Sequence, residues 1–214
     1  YAIQEKPNGI ADAFLIAEDF IGNDNSILIL GDNIFYGHGF LEPIRENITN
    51  FEEGAIVFGY SVKDPERYGV VEFDKDSRVL SLEEKPEVPK SNYAIPGLYI
   101  YDNKVCKYAK QLSPSSRGEY EITDLNKIYL RNSKLKVNLL GRGVAWLDTG
   151  TPESMIEAST FISYIESRQG LKIACLEEVA FNRGFINKIQ LLNIVSEMPD
   201  SSYKDYLKNF TLTI

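Results

Sequence analysis

The sequence predicts an α/β fold: a doubly wound, mostly parallel sheet, incomplete on its N-terminal side, with a helical C-terminal appendage. Three observations predict it. Ile27-Leu28-Ile29-Leu30 is an unbroken apolar run, the pattern of a buried strand covered by helices on both faces. Strand-like runs alternate with helical spacing as far as about residue 150. The residues beyond are mostly helical. This divides the chain into a partial core, 1–150, and a helical region, 151–214, suited to packing on the sheet or on a partner subunit.

Tyr1-Ala2-Ile3-Gln4 reads as a strand and Glu5-Lys6-Pro7-Asn8-Gly9 as a loop. Ile10, Ala13, Phe14, Ala17, Phe20 and Ile21 then recur at helical spacing. The chain starts at Tyr1 without Met, and these first elements already read as mid-domain, so further strands are expected before them. Gly9 is either a plain loop glycine or a residue that brings backbone N–H groups close to a ligand at the helix start.

Asp32-Asn33 follows the apolar run, at the edge where open α/β sheets bind ligands. It reads equally as a turn after a strand or as the start of a metal site. Ile34 to Phe40 is a glycine-rich, aromatic loop with the only histidine, His38, which is not read as a general base. Residues 40–50 suggest a short helix, 55–59 a second buried strand, and 70–73 with 78–84 a hairpin about Asp74-Lys75-Asp76-Ser77. The hairpin ends in Glu83-Glu84-Lys85-Pro86, either a solvated charged surface or groups for sugar hydroxyls and a phosphate.

Ala94 to Tyr101 reads as a strand, and its Pro96-Gly97 signals a bulge or a close backbone approach. Helices follow over 103–112 and from Ile122, then an alternating strand over 135–140. Asp148 again follows apolar residues. Thr151 is placed to N-cap a helix with Pro152 at its first position, and Gly170 to stop it. Helical patterns recur at 187–198 and 201–208.

Composition excludes several function classes. Net charge is −8 and no basic block exists, which argues against nucleic acid. No apolar stretch is long enough to span a bilayer, so no membrane partner is expected. Cys106 and Cys175 are isolated and read as reduced thiols of a cytoplasmic protein. One histidine leaves no Ser-His-Asp or Cys-His arrangement, and neither a zinc cluster nor a phosphate loop of the Gly-x-x-x-x-Gly-Lys type is present. If Asp32 and Asp148 share one sheet edge, their carboxylates can hold one Mg²⁺, a cation that takes few carboxylates together with phosphates and water. That suits phosphoryl or nucleotidyl transfer.

Six segments in order carry a resemblance: Leu30-Gly31-Asp32-Asn33, Tyr68 to Phe73, Ser81 to Pro86, Gly97-Leu98-Tyr99, Arg117-Gly118-Glu119 with Glu121 to Asp124, and Trp146 to Thr151. Together the chain resembles the glucose-1-phosphate thymidylyltransferases over nearly its whole length. The resemblance implies a nucleotidyltransferase fold in which glucose 1-phosphate attacks the α-phosphorus of dTTP, giving dTDP-glucose and pyrophosphate for dTDP-sugar (rhamnose-type) biosynthesis. By the same resemblance Asp32 and Asp148 hold Mg²⁺, Gln4 and Gly9 read thymine, and Asn33 and Gly69 contact substrate. Glu84 binds sugar hydroxyls, Lys85 the sugar phosphate, and Ile95 and Tyr99 line the sugar pocket. It also implies a homotetramer and a second, inhibitory site for dTDP-sugars built from Tyr36, Gly37, His38, Arg142, Lys172, Cys175 and Glu178.

The family's Gly-Gly-x-Gly-Thr-Arg-Leu loop and Lys-Gln-Leu-Leu-Pro stretch are not found in residues 1–214. The chain alone is therefore expected to be inactive and poorly stable as a monomer. The alternatives are a non-catalytic sugar-nucleotide-binding or regulatory homologue, and a uridylyl- or cytidylyltransferase of the same fold.

Overall fold

The computed structural model describes residues 1–213, and their contacts divide into two compact units that meet in sequence between Gly150 and Thr151. The first unit holds strands β1 (Ser26–Ile29), β2 (Asn33–Gly37), β3 (Ala55–Ser61), β4 (Gly69–Phe73), β5 (Val79–Glu84), β6 (Tyr93–Ala94), β7 (Leu98–Tyr101), β8 (Leu135–Leu139) and β9 (Val144–Asp148). Its helices are α1 (Ala13–Ile16), α2 (Glu18–Ile21), α3 (Leu41–Thr49), α4 (Val105–Ala109) and α5 (Ile122–Arg131).

Seven strands form one sheet in the order β1-β7-β3-β6-β4-β5, with β8 on the free edge of β3. Period-two alternation sends the side chains of β3 and β7 to opposite faces. Val57, Tyr99 and Tyr101 pack with Phe14 of α1, Val105 of α4 and Leu125 of α5. Ile56, Phe58, Leu98 and Ile100 pack with Ile44 of α3. Helices on both faces are the doubly wound arrangement expected, and the α/β class holds.

The strand directions refine that expectation. β1, β3 and β8 run one way, but the reversed β7 lies between β1 and β3, so only β3–β8 is a parallel ladder. The β4–β5 hairpin and the break at Ile95-Pro96-Gly97 bring the chain back against the direction of β3. The anticipated close approach is there. A Cβ on Gly97 would lie 2.6 Å from the Leu30 side chain, and the Leu30 N–H donates to the Gly97 carbonyl at 2.9 Å.

Three local readings are corrected. Tyr1 to Gln4 form no strand, since no strand lies alongside to pair with them, and Tyr1 and Ile3 are exposed. The β1 run is not buried on both faces. It pairs only with β7, and Ile27 and Ile29 stand 44% and 61% exposed on the uncovered side. The aromatic loop at 34–40 is mostly strand β2, because Asn33 to Gly37 finds a full antiparallel partner in β9.

The second unit holds α6 (Pro152–Gln169), α7 (Leu176–Asn182), α8 (Lys188–Glu197) and α9 (Ser202–Thr213). Thr151 caps α6 through the Ser154 N–H, Pro152 opens it, and Gly170 ends it in a left-handed conformation. Asn187 and Gln190 form the equivalent cap of α8. Cys175, Leu191, Val195 and Leu207 are the buried centre of this unit. No helix among the described residues is long and apolar enough to cross a membrane.

Candidate active site

The site forms where β1 ends and the β2–β9 ribbon begins. Asn33 lies opposite Asp148 in the ladder, which sets Asp32 beside Asp148. The Asp32 carbonyl accepts from both the N–H and the Oγ1 of Thr149, at 2.8 and 2.9 Å, and so fixes the two strand ends to one another. The sheet edge thus brings together two aspartates that are far apart in sequence.

Asp32 Oδ1 accepts from Asn33 Nδ2 at 2.8 Å, and Asp148 Oδ1 accepts from the Gly150 N–H at 3.2 Å. Neither carboxylate has an ion-pair partner among the described residues, and each keeps Oδ2 free of protein donors. This donor set fits a hard divalent cation. No third metal-ligating side chain joins the pair among the described residues, which suits an ion that retains waters and substrate phosphates.

Asn33 is the hub of this edge. Its Oδ1 accepts from the Gly97 N–H at 2.9 Å and from Trp146 Nε1 at 2.7 Å, while its Nδ2 serves Asp32. Its Oδ1 thus takes two protein donors, and one N–H of its Nδ2 goes to Asp32. Asn33 ties together the β2, β7 and β9 sides of this edge.

A second wall comes from β4, β5 and the segment before β7. Gly69 pairs with Glu84, and the Gly69 carbonyl accepts from the Ile95 N–H at 2.8 Å. Glu84 is half-buried and accepts a short hydrogen bond from Thr123 Oγ1. Its neighbour Glu83 instead pairs with Lys90 at the surface. Within this one acidic dipeptide the surface reading holds for Glu83 alone. Arg117 lies 3.6 Å from Glu84 and is held bidentate by Glu121, which is buried.

Lys85 adopts φ 43, a left-handed backbone rare for a lysine, and its ammonium pairs with no carboxylate among the described residues. Tyr99 connects the two walls. Burial drives its phenol pKa well above the usual value, and the charges of Glu84 and Asp32 push it further. Arg67 pairs with Asp64 at 2.9 Å, and the charge of Asp148 adds a smaller pull toward its protonated form.

Gln4 and Gly9 form the third part. Gln4 Nε2 donates to the Gly9 carbonyl and to Asp12 Oδ2, both at 3.0 Å. Gly9 has φ 104, and a Cβ there would lie 2.6 Å from the Tyr120 carbonyl oxygen, so both conformation and space require glycine. Tyr120 sits in the segment that carries Arg117 and leads to Thr123. Asp12, Thr123 and Trp146 hold the candidate residues Gln4, Glu84 and Asn33, and the sequence assigned them no role. Their contacts are side chain to side chain across distant segments and leave no periodic signal.

The residues expected for a regulatory site fall in both units. In the first, Tyr36 and Gly37 pair with Ala145 and Val144, and Gly37 abuts Gly143, the neighbour of Arg142, with no room for a Cβ. His38 is exposed just beyond. In the second, Lys172 pairs with Glu166 at 2.6 Å, Cys175 is buried, and Glu178 accepts from the Tyr206 hydroxyl.

A helix-flanked sheet with paired aspartates at one edge and a carboxylate-and-lysine wall beside them is the build of a nucleotidyltransferase. The family model for nucleotidyl transferases matches residues 1–164. The chain is 52% identical to a glucose-1-phosphate thymidylyltransferase of Neisseria gonorrhoeae, over 97% of this chain and 72% of that protein. It is 53% identical to the Mycolicibacterium smegmatis protein of the same name, over 97% of this chain and 71% of that one. A crystal structure named for this enzyme from Bacillus anthracis superposes with a TM-score of 0.66 at 46% identity, over 74% of this chain and 62% of that one. A UDP-glucose pyrophosphorylase shares the fold at TM-score 0.67 and 24% identity, over 77% of this chain and 65% of that one. The chain belongs to the glucose-1-phosphate thymidylyltransferase family.

Proposed function

We propose that this protein transfers a thymidylyl group from dTTP to glucose 1-phosphate, giving dTDP-glucose and pyrophosphate. The observation that carries the reading is the placement of Asp32 beside Asp148 at the start of the β2–β9 ladder, fixed by the two hydrogen bonds from Thr149 to the Asp32 carbonyl. A phosphate oxygen of glucose 1-phosphate forms the new bond to the α-phosphorus, the bond from the α-phosphorus to the bridging oxygen breaks, and pyrophosphate carries away the electron pair. No covalent enzyme intermediate is involved.

Asp32 and Asp148 are the residues to hold Mg²⁺. When bound, that ion supplies charge neutralisation and in-line alignment of the phosphates. Glu84, oriented by Thr123, accepts from sugar hydroxyls. Lys85 offers its unpaired ammonium to the sugar phosphate, and Ile95, Tyr99 and the Gly69 backbone shape the sugar pocket. Gln4 and Gly9 address the base. The same reading gives a cytoplasmic homotetramer that takes dTDP-sugars at a second site, for which Tyr36, Gly37, His38 and Arg142 are the candidates in the first unit. Exposed Met155 and Ile156 on α6 are in keeping with subunit contacts.

The test is Mg²⁺-dependent binding of dTTP and dTDP-glucose by calorimetry, with UTP in parallel, followed by a pyrophosphate-release assay. Thymine and uracil differ by one methyl, worth about 1–3 kcal/mol in a pocket, so dTTP is expected to bind more tightly than UTP. Without the glycine-rich loop in residues 1–214, this chain alone is expected to bind its ligands and turn over poorly. Failure to bind either nucleotide overturns the assignment, and full turnover by residues 1–214 alone overturns the expectation about the loop.

A further inference from the structure

We propose that Asp12 is a positioning residue that fixes which end of the Gln4 amide faces the base, and so sets the site against cytosine. The inference rests on the reading of Gln4 and Gly9 as the base contact and deepens it. A glutamine amide is ambiguous as a reader of bases, because its two ends differ only in being donor or acceptor and rotation about one bond exchanges them. Here the ambiguity is removed. Both neighbours of Gln4 Nε2 are oxygens that can only accept: the Gly9 carbonyl at 3.0 Å and Asp12 Oδ2 at 3.0 Å. Reversing the amide would set Gln4 Oε1 against a carbonyl and a carboxylate at once. The second of these contacts is charge-assisted and the stronger.

Asp12 is itself built in. It is 8% exposed, and its Oδ2 also accepts from Asn8 Nδ2 at 3.2 Å, so it is held from two sides. Gln4, by contrast, is exposed, and with both amide protons committed it offers only Oε1 outward. The Gly9 N–H donates to no acceptor among the described residues. On the base-contact reading, the base then meets one acceptor, from Gln4, and one donor, from Gly9. A thymine or uracil base answers with its N3–H and an adjacent carbonyl. Cytosine presents an unprotonated N3 and an amino group to the same pair, placing acceptor against acceptor and donor against donor.

Asp12 has a plainer role open to it, since an acid in the first turn suits the positive end of a helix. A purely structural role would weaken all nucleotides alike, so the ratio of affinities separates the two. Calorimetry with dTTP and dCTP in Mg²⁺ is applied to the unaltered chain, Asp12→Ala and Asp12→Asn. In Asp12→Ala the charged lock is gone, and the dCTP-to-dTTP ratio of dissociation constants is expected to fall about tenfold or more, the worth of one hydrogen bond to a charged group. Asp12→Asn is nearly isosteric, keeps a neutral acceptor, and is expected to fall between, so it carries the test if the alanine variant does not fold. A ratio unchanged in the variants that fold overturns the inference while leaving the proposed function standing. Equal binding of dTTP and dCTP by the unaltered chain overturns the base-contact reading and this inference with it.

Discussion

Asn33 and Trp146 are joined by a 2.7 Å hydrogen bond from the indole Nε1 to the amide oxygen, and the same amide reaches Asp32 through its nitrogen. The chain has a single tryptophan. Its indole is therefore a built-in reporter, two hydrogen bonds from a candidate metal ligand. Asn33→Ala strands the buried Gly97 N–H and the indole N–H together. The expected result is a loss of about 2–3 kcal/mol in urea unfolding and a shifted tryptophan emission at zero denaturant. Unchanged emission would show that Trp146 does not sense this edge.

Asp32→Asn and Asp148→Asn each remove one charge from the pair while keeping the shape. Mg²⁺-dependent dTTP binding should weaken strongly, and turnover in the assembled enzyme should fall about 10²–10³-fold, the scale of one lost preorganised electrostatic contact. Chelation with EDTA should abolish binding of dTTP by the unaltered chain and make little difference to either variant. A variant that keeps its metal dependence removes that aspartate from the site.

Gly9→Ala adds a Cβ 2.6 Å from the Tyr120 carbonyl at φ 104. Neither the backbone angle nor the neighbour gives way easily, so stability should drop by more than about 1 kcal/mol. Gly118→Ala is the control. It has a positive φ of 79 but open space around it, so it should lose only the conformational part. Equal losses in thermal unfolding would show that the contact with Tyr120 carries no energy.

Alkaline pH should unfold the chain in a tyrosine-linked transition. Burial raises the phenol of Tyr206, followed by its hydrogen bond to Glu178, to about 12. Burial likewise raises Tyr99, Tyr101 and Tyr129 above the usual 10. A folded-state pKa above the unfolded value gives stability that is complete below pH 10 and is lost as pH rises through the folded value. Tyrosinate absorbance and loss of circular dichroism should therefore climb together between pH 10 and 12. A buried-tyrosine titration that finishes while the fold persists would contradict this.

Local signals were legible. Thr151, Pro152 and Gly170 name their own cap positions, because capping depends on a few neighbouring residues. Pro96-Gly97 announced the close approach to Leu30. That the ends of the Asp32 and Asp148 segments lie together stood as a condition, and the β2–β9 register shows those two segments side by side. What escaped was long-range. The reversal of β7 is set by partners far along the chain, and no property of Leu98 to Tyr101 records strand direction. Ile27 and Ile29 look buried in any window, since a window does not show which neighbour covers them. Asp12 resembles any acid in a first helical turn until Gln4 is seen folded onto it.

Lys85 holds a backbone conformation in which glycine would sit more comfortably, at a local cost of about 1–3 kcal/mol. If Lys85 serves the sugar phosphate as proposed, folding and chemistry prefer different residues at this position. Lys85→Gly should give a chain that melts at a higher temperature and handles sugar phosphate worse. On that reading, a substitution ranked as an improvement by thermal unfolding alone would be one that weakens sugar-phosphate binding.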